Sequence, residues 1–225
     1  MTAPLAVVLV SGGLDSCVAA ALAHRHHRLA FLHLNYRQRT EARELAAFNA
    51  LADFFQIDHR LVVDVSYMRQ IGGSSLIDLD MAVPTQERSD QIPTTYVPFR
   101  NANILGIGVA WAEVLQARPV FIGAHQADNQ YPDCRASFFA AYNAAIAQGT
   151  NPDSGIEVRT PLIDLDKGGI IRLGLSLQAP LHLTWSCYQS QQKACGQCLS
   201  CRLRLQGFAQ AGVKDPAPYA ATAPR

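Results

Sequence analysis

Six residues near the N-terminus, Ser11-Gly12-Gly13-Leu14-Asp15-Ser16, have the types and spacing needed to hold a polyphosphate. The two glycines permit backbone conformations and close approach that a Cβ would block. Successive backbone N–H groups, continued by the exposed donors of a helix that begins here, form an anion cradle to which Ser11 and Ser16 add hydroxyls. The pattern lacks the Gly-Lys-Ser/Thr ending of a Walker loop and the three glycines of a dinucleotide fingerprint. Asp15 is the informative position. A carboxylate beside a polyphosphate is unfavourable unless a cation lies between them, which points to Mg²⁺. The competing reading is a plain strand-to-helix turn with Asp15 as the helix cap.

A second chemical feature lies near the other end. Of six cysteines, four (Cys187, Cys195, Cys198 and Cys201) fall within fifteen residues. Such clustering without secretory features favours metal binding over disulfides. Cys195-Gly196-Gln197-Cys198 forms a knuckle whose turn Gly196 permits. Four thiolates suit a structural Zn²⁺, one per chain, with no position left for water. An Fe–S cluster and a redox dithiol from Cys195 and Cys198 are the rivals. The ribbon-like spacing and polar surroundings favour zinc.

Both features need elements to place them. Residues 5–10 are a continuous apolar run of strand length, suited to a strand covered on both faces. Further strands are predicted at 29–34, 60–65, 119–124 and 157–160, and helices at 15–25, 40–55, 101–117, 135–148 and 167–177. Alternation of this kind predicts a mainly parallel sheet with helices on both faces, in which ligands sit beyond the carboxyl ends of the strands. The fold class expected is α/β, a Rossmann-like parallel sheet of the adenine nucleotide alpha-hydrolase type, plus a small C-terminal Cys₄ zinc-binding helical subdomain. The expected divisions are 1–183 for the α/β domain, 184–214 for the zinc-binding subdomain and 215–225 for a Pro/Ala-rich flexible tail. Residues 71–95, rich in Gly, Pro and Ser, show no period and predict a functional lid or a disordered segment. His24, His26 and His27 fall at a helix end, where they complement its dipole.

Composition bounds the function. In 225 residues, 49% are hydrophobic and 16% charged, enough for a sizeable core. A net charge of +1 argues against an extended nucleic-acid or membrane footprint. No basic region precedes residues 5–10 and no cleavage site follows them, so neither a signal peptide nor a membrane span is predicted, and the expected location is cytoplasmic.

The Ser11–Ser16 loop resembles that of the ATP-pyrophosphatase (PP-loop) superfamily, whose members cleave ATP between its α- and β-phosphates and adenylate a substrate. Several segments resemble one family within it, the 7-cyano-7-deazaguanine (preQ0) synthases of queuosine biosynthesis. These are Asn35-Tyr36-Arg37-Gln38-Arg39-Thr40 with Arg43-Glu44-Leu45, Val97-Pro98-Phe99-Arg100-Asn101, and Tyr131-Pro132-Asp133-Cys134-Arg135 with Phe138. Thr160-Pro161-Leu162 with Lys167 follows, then Thr184-Trp185-Ser186-Cys187-Tyr188, the other three cysteines, Leu203-Arg204 and Gly207-Phe208. Two departures stand out. Arg37 occupies a position where the family commonly has glycine, and Asp128-Asn129-Gln130-Tyr131 is a residue tighter than the family's spacing.

The resemblance implies an ATP-dependent ligase. It would convert 7-carboxy-7-deazaguanine and ammonia to the nitrile through adenylated intermediates, releasing AMP and pyrophosphate, with Mg²⁺ accompanying ATP. It also implies a homodimer. In this reading Val8, Leu9, Val10, Ser11, Gly12, Gly13, Leu14, Asp15, Ser16, Cys17 and Val18 contact the nucleotide. Catalytic roles fall to Asp15, Ser16, Arg100, Asp133, Arg135 and Lys167. Arg100 and Lys167 would neutralise phosphate or substrate carboxylate, and Asp133 and Arg135 would recognise the base or line the site. Tyr36, Gln38 and Arg39 lie just past the second strand, where a nucleotide would sit. Cys134 reads as packing, and so does the thiol of Cys17. Two other readings remain open: another PP-loop adenylating enzyme, acting in tRNA modification or defence, and a non-catalytic zinc-ribbon module that binds ATP.

Overall fold

The computed structural model describes residues 3–85, 91–127 and 130–221. Five strands, β1 (Leu5–Leu9), β2 (Arg28–Asn35), β3 (His59–Asp64), β4 (Pro119–Ile122) and β5 (Glu157–Arg159), form one parallel sheet in the order β3-β2-β1-β4-β5. The helices are α1 (Leu14–His24), α2 (Glu41–Phe54), α3 (Tyr67–Ile71), α4 (Arg100–Leu115), α5 (Ala136–Gly149), α6 (Lys167–Ser176) and α7 (Leu199–Gln210). Among the described residues, no helix is long and apolar enough to cross a membrane.

Alternation along the strands explains why both faces are covered. On β1, Ala6 and Val8 enter one core with α1, α2, α6 and α7, while Val7 and Leu9 enter the other with α4 and α5. Edge strand β3 is less buried, and its exposed positions carry His59, Arg60, Val62 and Asp64. From β1 the chain winds outward to β2 and β3, then returns to the other side of β1 as β4. That reversal opens a crevice past the carboxyl ends of β1 and β4, and the Ser11–Ser16 loop lies there.

Two sequence expectations change. Residues 71–95 are neither a free lid nor a structureless loop where they are described. Ser74, Ser75, Ile77 and Thr95 are fully buried. The Arg39 guanidinium holds the segment, donating to the carbonyls of Ser75, Asp78, Leu79 and Met81 at 2.6–3.0 Å. One half-buried cation thus satisfies several carbonyls that an irregular chain leaves without a ladder. The tail is likewise docked from 215 to 220. Asp215 is 8% exposed and pairs with Arg204, and Ala194 bonds to Pro218 and Ala220.

Arg37 adopts φ +63°, the left-handed region that glycine favours. The turn therefore takes the left-handed conformation without a glycine. The Arg37 amide donates to Glu41 Oε2 at 2.9 Å, fixing that turn.

Candidate active site

The phosphate loop takes its shape from its glycines and from a neighbour far along the chain. Gly12 has φ +83°, and a Cβ there would lie 2.5 Å from the carbonyl oxygen of Glu44. The Gly12 carbonyl accepts from the Trp185 amide at 2.9 Å. Ser16 Oγ donates to the Gly13 carbonyl at 2.9 Å and lies 3.3 Å from Ser11 Oγ. The N-cap of α1 is Gly13, with no side-chain cap. Asp15 is therefore not the cap, and the plain-turn reading of the loop fails on that point.

Asp15 instead faces across the crevice. Both carboxylate oxygens accept from Lys167 Nζ, at 2.7 and 2.8 Å, and His125 Nε2 lies 3.6 Å from Oδ2. Lys167 is the first residue of α6, whose N-cap Asp166 accepts from the Gly169 amide at 2.6 Å. Burial pushes the Asp15 carboxyl up, but the Lys167 ammonium and His125 outweigh it and hold it well below the usual carboxylate range. His125 was not singled out from the sequence. Its one legible signal is its place three residues beyond the end of β4.

These groups line one end of a cavity of about 290 Å³. Leu9, Leu32, Leu34, Ile104 and Ile122 give it apolar walls, as flat ligands require. At the other side Arg100, the first residue of α4, donates to Tyr36 Oη at 3.2 Å, and its guanidinium lies 5.8 Å from that ring's centroid. Burial pushes the Tyr36 hydroxyl up to about 12, so it stays neutral at physiological pH. Gln38, Glu44, Tyr131 and Tyr188 complete this part of the wall. Trp185 also lines the cavity beneath the Arg43 guanidinium, 4.5 Å from its ring.

Several predicted site residues lie elsewhere. Val8, Cys17 and Val18 are fully buried in the core beneath the loop and do not reach the cavity. Burial pushes the Cys17 thiol up to about 12, consistent with packing. Asp133 does not reach the cavity either. Its Oδ2 accepts from the Asn101 amide at 2.9 Å, while Asn101 Nδ2 returns to the Asp133 carbonyl and Cys134 Sγ. Helix α4 has no side-chain cap of its own, so Asp133 satisfies an orphan amide of its first turn from outside. It thereby positions Arg100. Arg135 donates to the Gln126 carbonyl at 3.0 Å, away from the cavity. Asp128 and Asn129, which carry the tighter spacing, lie outside the described residues.

The four clustered cysteines converge. Their Sγ atoms all lie within 4.8 Å of one another. Sulfurs about 2.3 Å from a tetrahedral centre would be about 3.8 Å apart, and Cys195 Sγ and Cys201 Sγ are separated by 3.9 Å. Cys187 Sγ accepts from the amides of Gln189, Ser190 and Cys195, and Cys195 Sγ from those of Gln197 and Cys198. Amide donors converging on sulfur favour thiolates, as metal ligation demands. The cluster can therefore hold a metal ion.

Arg204 joins this cluster to the phosphate loop. It lies on α7 with Cys201, is 3% exposed, and makes a bidentate pair with Asp215 at 2.8 and 3.0 Å. It also donates to Thr184 Oγ1 and Ser186 Oγ, on either side of Trp185.

Against known proteins, the family described as queuosine biosynthesis protein QueC matches residues 5–212. The chain belongs to the QueC family. Within it, the 7-cyano-7-deazaguanine synthase of Chloroherpeton thalassium is 52% identical over 217 residues, covering 95% of this chain and 96% of that protein. That of Chlorobaculum parvum is 50% identical over the same coverage. Among solved structures, the NMN synthetase from Francisella tularensis shares the fold, with a TM-score of 0.51 and 18% identity over 99% of this chain and 81% of that one. The QueC match begins at β1 and ends just past α7, so it takes in both the phosphate loop and the four cysteines.

Proposed function

We propose that this QueC-family chain makes 7-cyano-7-deazaguanine from 7-carboxy-7-deazaguanine, ammonia and two molecules of ATP. The observation that carries the reading is the closure of Asp15, Lys167 and His125 around the end of the Ser11–Ser16 cradle, inside a cavity large enough for a flat heterocycle.

The chemistry needs a poor leaving group made good. A substrate carboxylate oxygen attacks the α-phosphorus of ATP and the bond to pyrophosphate breaks. Ammonia then adds to the acyl carbon, AMP leaves, and a proton is lost to give the amide. The amide oxygen attacks a second ATP in the same way, and as AMP departs the nitrogen gives up both of its protons, leaving the nitrile.

The chain's part is positioning and charge neutralisation. Ser11 presents its hydroxyl to the leaving pyrophosphate, oriented by the Gly13 amide that donates to its Oγ at 3.2 Å, while Ser16 braces the loop through the Gly13 carbonyl. Lys167 stands where negative charge builds up on it. Asp15 is the carboxylate suited to hold the Mg²⁺ that accompanies ATP, whose charge would offset that of the phosphates. Arg100, with Tyr36 beneath it, supplies fixed positive charge on the opposite wall. Cys187, Cys195, Cys198 and Cys201 would hold one structural Zn²⁺, and that closed shell serves folding rather than the reaction. Homodimer formation and a cytoplasmic location belong to the same proposal, and sedimentation and cell fractionation test them.

The deciding experiment incubates the protein with the carboxylic acid, ATP, Mg²⁺ and ammonium at mildly alkaline pH. Nitrile with two AMP per turnover is expected. Failure to form both nitrile and AMP would overturn the assignment.

A further inference from the structure

The cavity lining contains two carboxylates, and only one of them is neutralised. Asp15 is held by Lys167. Glu44 lines the same cavity, and among the described residues no Lys, Arg or His comes within ion-pair distance of it. A charge in a partly dry wall without a counter-charge is costly unless donors reach it.

Two donors do, and both come from the wall itself. Gln38 Nε2 donates to Glu44 Oε2 at 3.0 Å, and Thr40 Oγ1 donates to Oε1 at 2.7 Å. Gln38 is locked in turn, because its Oε1 accepts from the Tyr36 amide at 3.0 Å. Gln38 and Thr40 are 5% and 2% exposed, so these partners are fixed. Each carboxylate oxygen has accepted one bond and keeps capacity for another. The result is a carboxylate held in one orientation with acceptor capacity left over, beside the ring of Tyr36.

We infer that Glu44 reads the donor edge of the substrate base, accepting from N1–H and the exocyclic 2-amino group of a 2-amino-4-oxopyrimidine ring. This rests on the function proposed above and deepens it. Two parallel donors matched to two carboxylate oxygens is the geometry that makes bidentate pairing strong and selective. On the corresponding edge adenine offers an acceptor nitrogen at N1 and only a C–H at position 2, so its acceptor nitrogen would face the anion. Glu44 therefore also keeps the adenine of ATP out of the substrate's place, by an unfavourable contact rather than a missing one.

The test compares the acid with its analogue lacking the 2-amino group, on the parent protein and on Glu44→Gln. The substitution keeps the side chain's size but replaces one acceptor with a donor. For the parent protein, loss of the 2-amino group is expected to lower kcat/KM on the order of 10- to 100-fold. Glu44→Gln is expected to lower kcat/KM for the normal acid by a similar factor through its KM, leave the KM values of ATP and ammonia within about 3-fold, and narrow the ratio between the two acids. Unchanged discrimination in Glu44→Gln would overturn the inference, as would an effect confined to the KM of ammonia or ATP. If the variant does not fold, the parent protein alone decides: equal use of the two acids sinks the idea. Should the parent turn over neither acid, the proposed function fails on its own. Calorimetric binding of 7-deazaguanine against 7-deazahypoxanthine then reads Glu44 separately, with equal affinities counting against it.

Discussion

The backbone amide of Trp185 donates to the carbonyl of Gly12 at 2.9 Å, binding the approach to the cysteine cluster directly to the phosphate loop. Because the peptide is planar and trans, fixing the Gly12 carbonyl aims the Gly13 N–H of the same peptide the opposite way, where it donates to Ser11 Oγ at 3.2 Å. Gly13 lines the cavity. Arg204 fixes this contact, bonding to Thr184 and Ser186 on either side of Trp185 and to Asp215 behind it.

Removing Asp215 should therefore cost both stability and nucleotide affinity. Asp215→Ala leaves Arg204 buried and without its carboxylate, which should lower unfolding stability by about 3–5 kcal/mol. Chemical denaturation measures the loss, and a raised KM for ATP in the protein that remains folded measures the loosened loop. Tyr219→Phe, which removes one donor to Asp215 Oδ2, should cost only about 1 kcal/mol.

The Asp15–Lys167 pair has a pH signature. With its pKa held below the ordinary 3.8, the Asp15 carboxyl contributes stability that is complete above that value and is lost as pH falls below it. In Lys167→Met the strongest opposing charge is gone, so burial lifts the carboxyl relative to the parent with His125 alone opposing it. The Tm gap between parent and variant should be widest near neutral pH and should shrink as pH falls through about 4. Water reaches Asp15, whose side chain is 27% exposed, so the gap corresponds to about 1–3 kcal/mol rather than the value for a dry pair. AMP formation by Lys167→Met should fall at least ~100-fold at every pH. A gap that does not change between pH 3 and pH 7 would count against the pair.

Close approach at Gly123 sets a steric test. A Cβ there would lie 2.6–2.7 Å from backbone atoms of Asp15 and Ser16, which cannot yield without moving the first turn of α1. Gly123→Ala should abolish activity while secondary structure by circular dichroism is largely kept. Gly149, at the end of α5, meets nothing within 4 Å, so Gly149→Ala should be silent in both assays.

Metal analysis should find one zinc per chain, in a colourless protein. Strong chelation should lower Tm and expose the thiols of Cys187, Cys195, Cys198 and Cys201 to a thiol reagent, while Cys17 and Cys134 stay protected by burial. Iron with visible absorbance would replace zinc by a cluster in this account.

Arg37 pays for its left-handed conformation with about 1 kcal/mol of strain. Its side-chain ion pairs, with Glu41 and Asp64, are exposed and return little. Arg37→Gly should thus match or exceed the parent in stability, by up to about 1 kcal/mol, and keep full activity. A loss of more than that in denaturant titration would show that the ion pairs matter.

Much of this architecture was legible from local pattern. Buried parallel strands are short apolar runs and the helices carry their own period, so β1, β2 and β4 fall where residues 5–10, 29–34 and 119–124 predict them to within two residues. The phosphate loop and the cysteine knuckle were legible for a related reason. Each is built from neighbours in the chain, and its chemistry depends on spacing that can be counted.

Partnership over long separations was not legible. Nothing near His125 announces that it meets Asp15 and Lys167, because the contact arises only when β4 settles beside β1. Asp133 and Arg135 have residue types suited to catalysis, yet the cap that α4 lacks and the carbonyl of Gln126 claim them. Residues 71–95 lack a period, and where they are described much of what holds them is non-local: Arg39, outside the segment, answers four of their carbonyls. The amino-acid sequence by itself determined the sheet, the cradle, the four-cysteine cluster and the family. Tertiary structure alone decided which charges meet a counter-charge and which, as at Glu44 and Arg100 among the described residues, face the cavity with neutral partners, because charge compensation depends on distance in space and the chain order does not encode it.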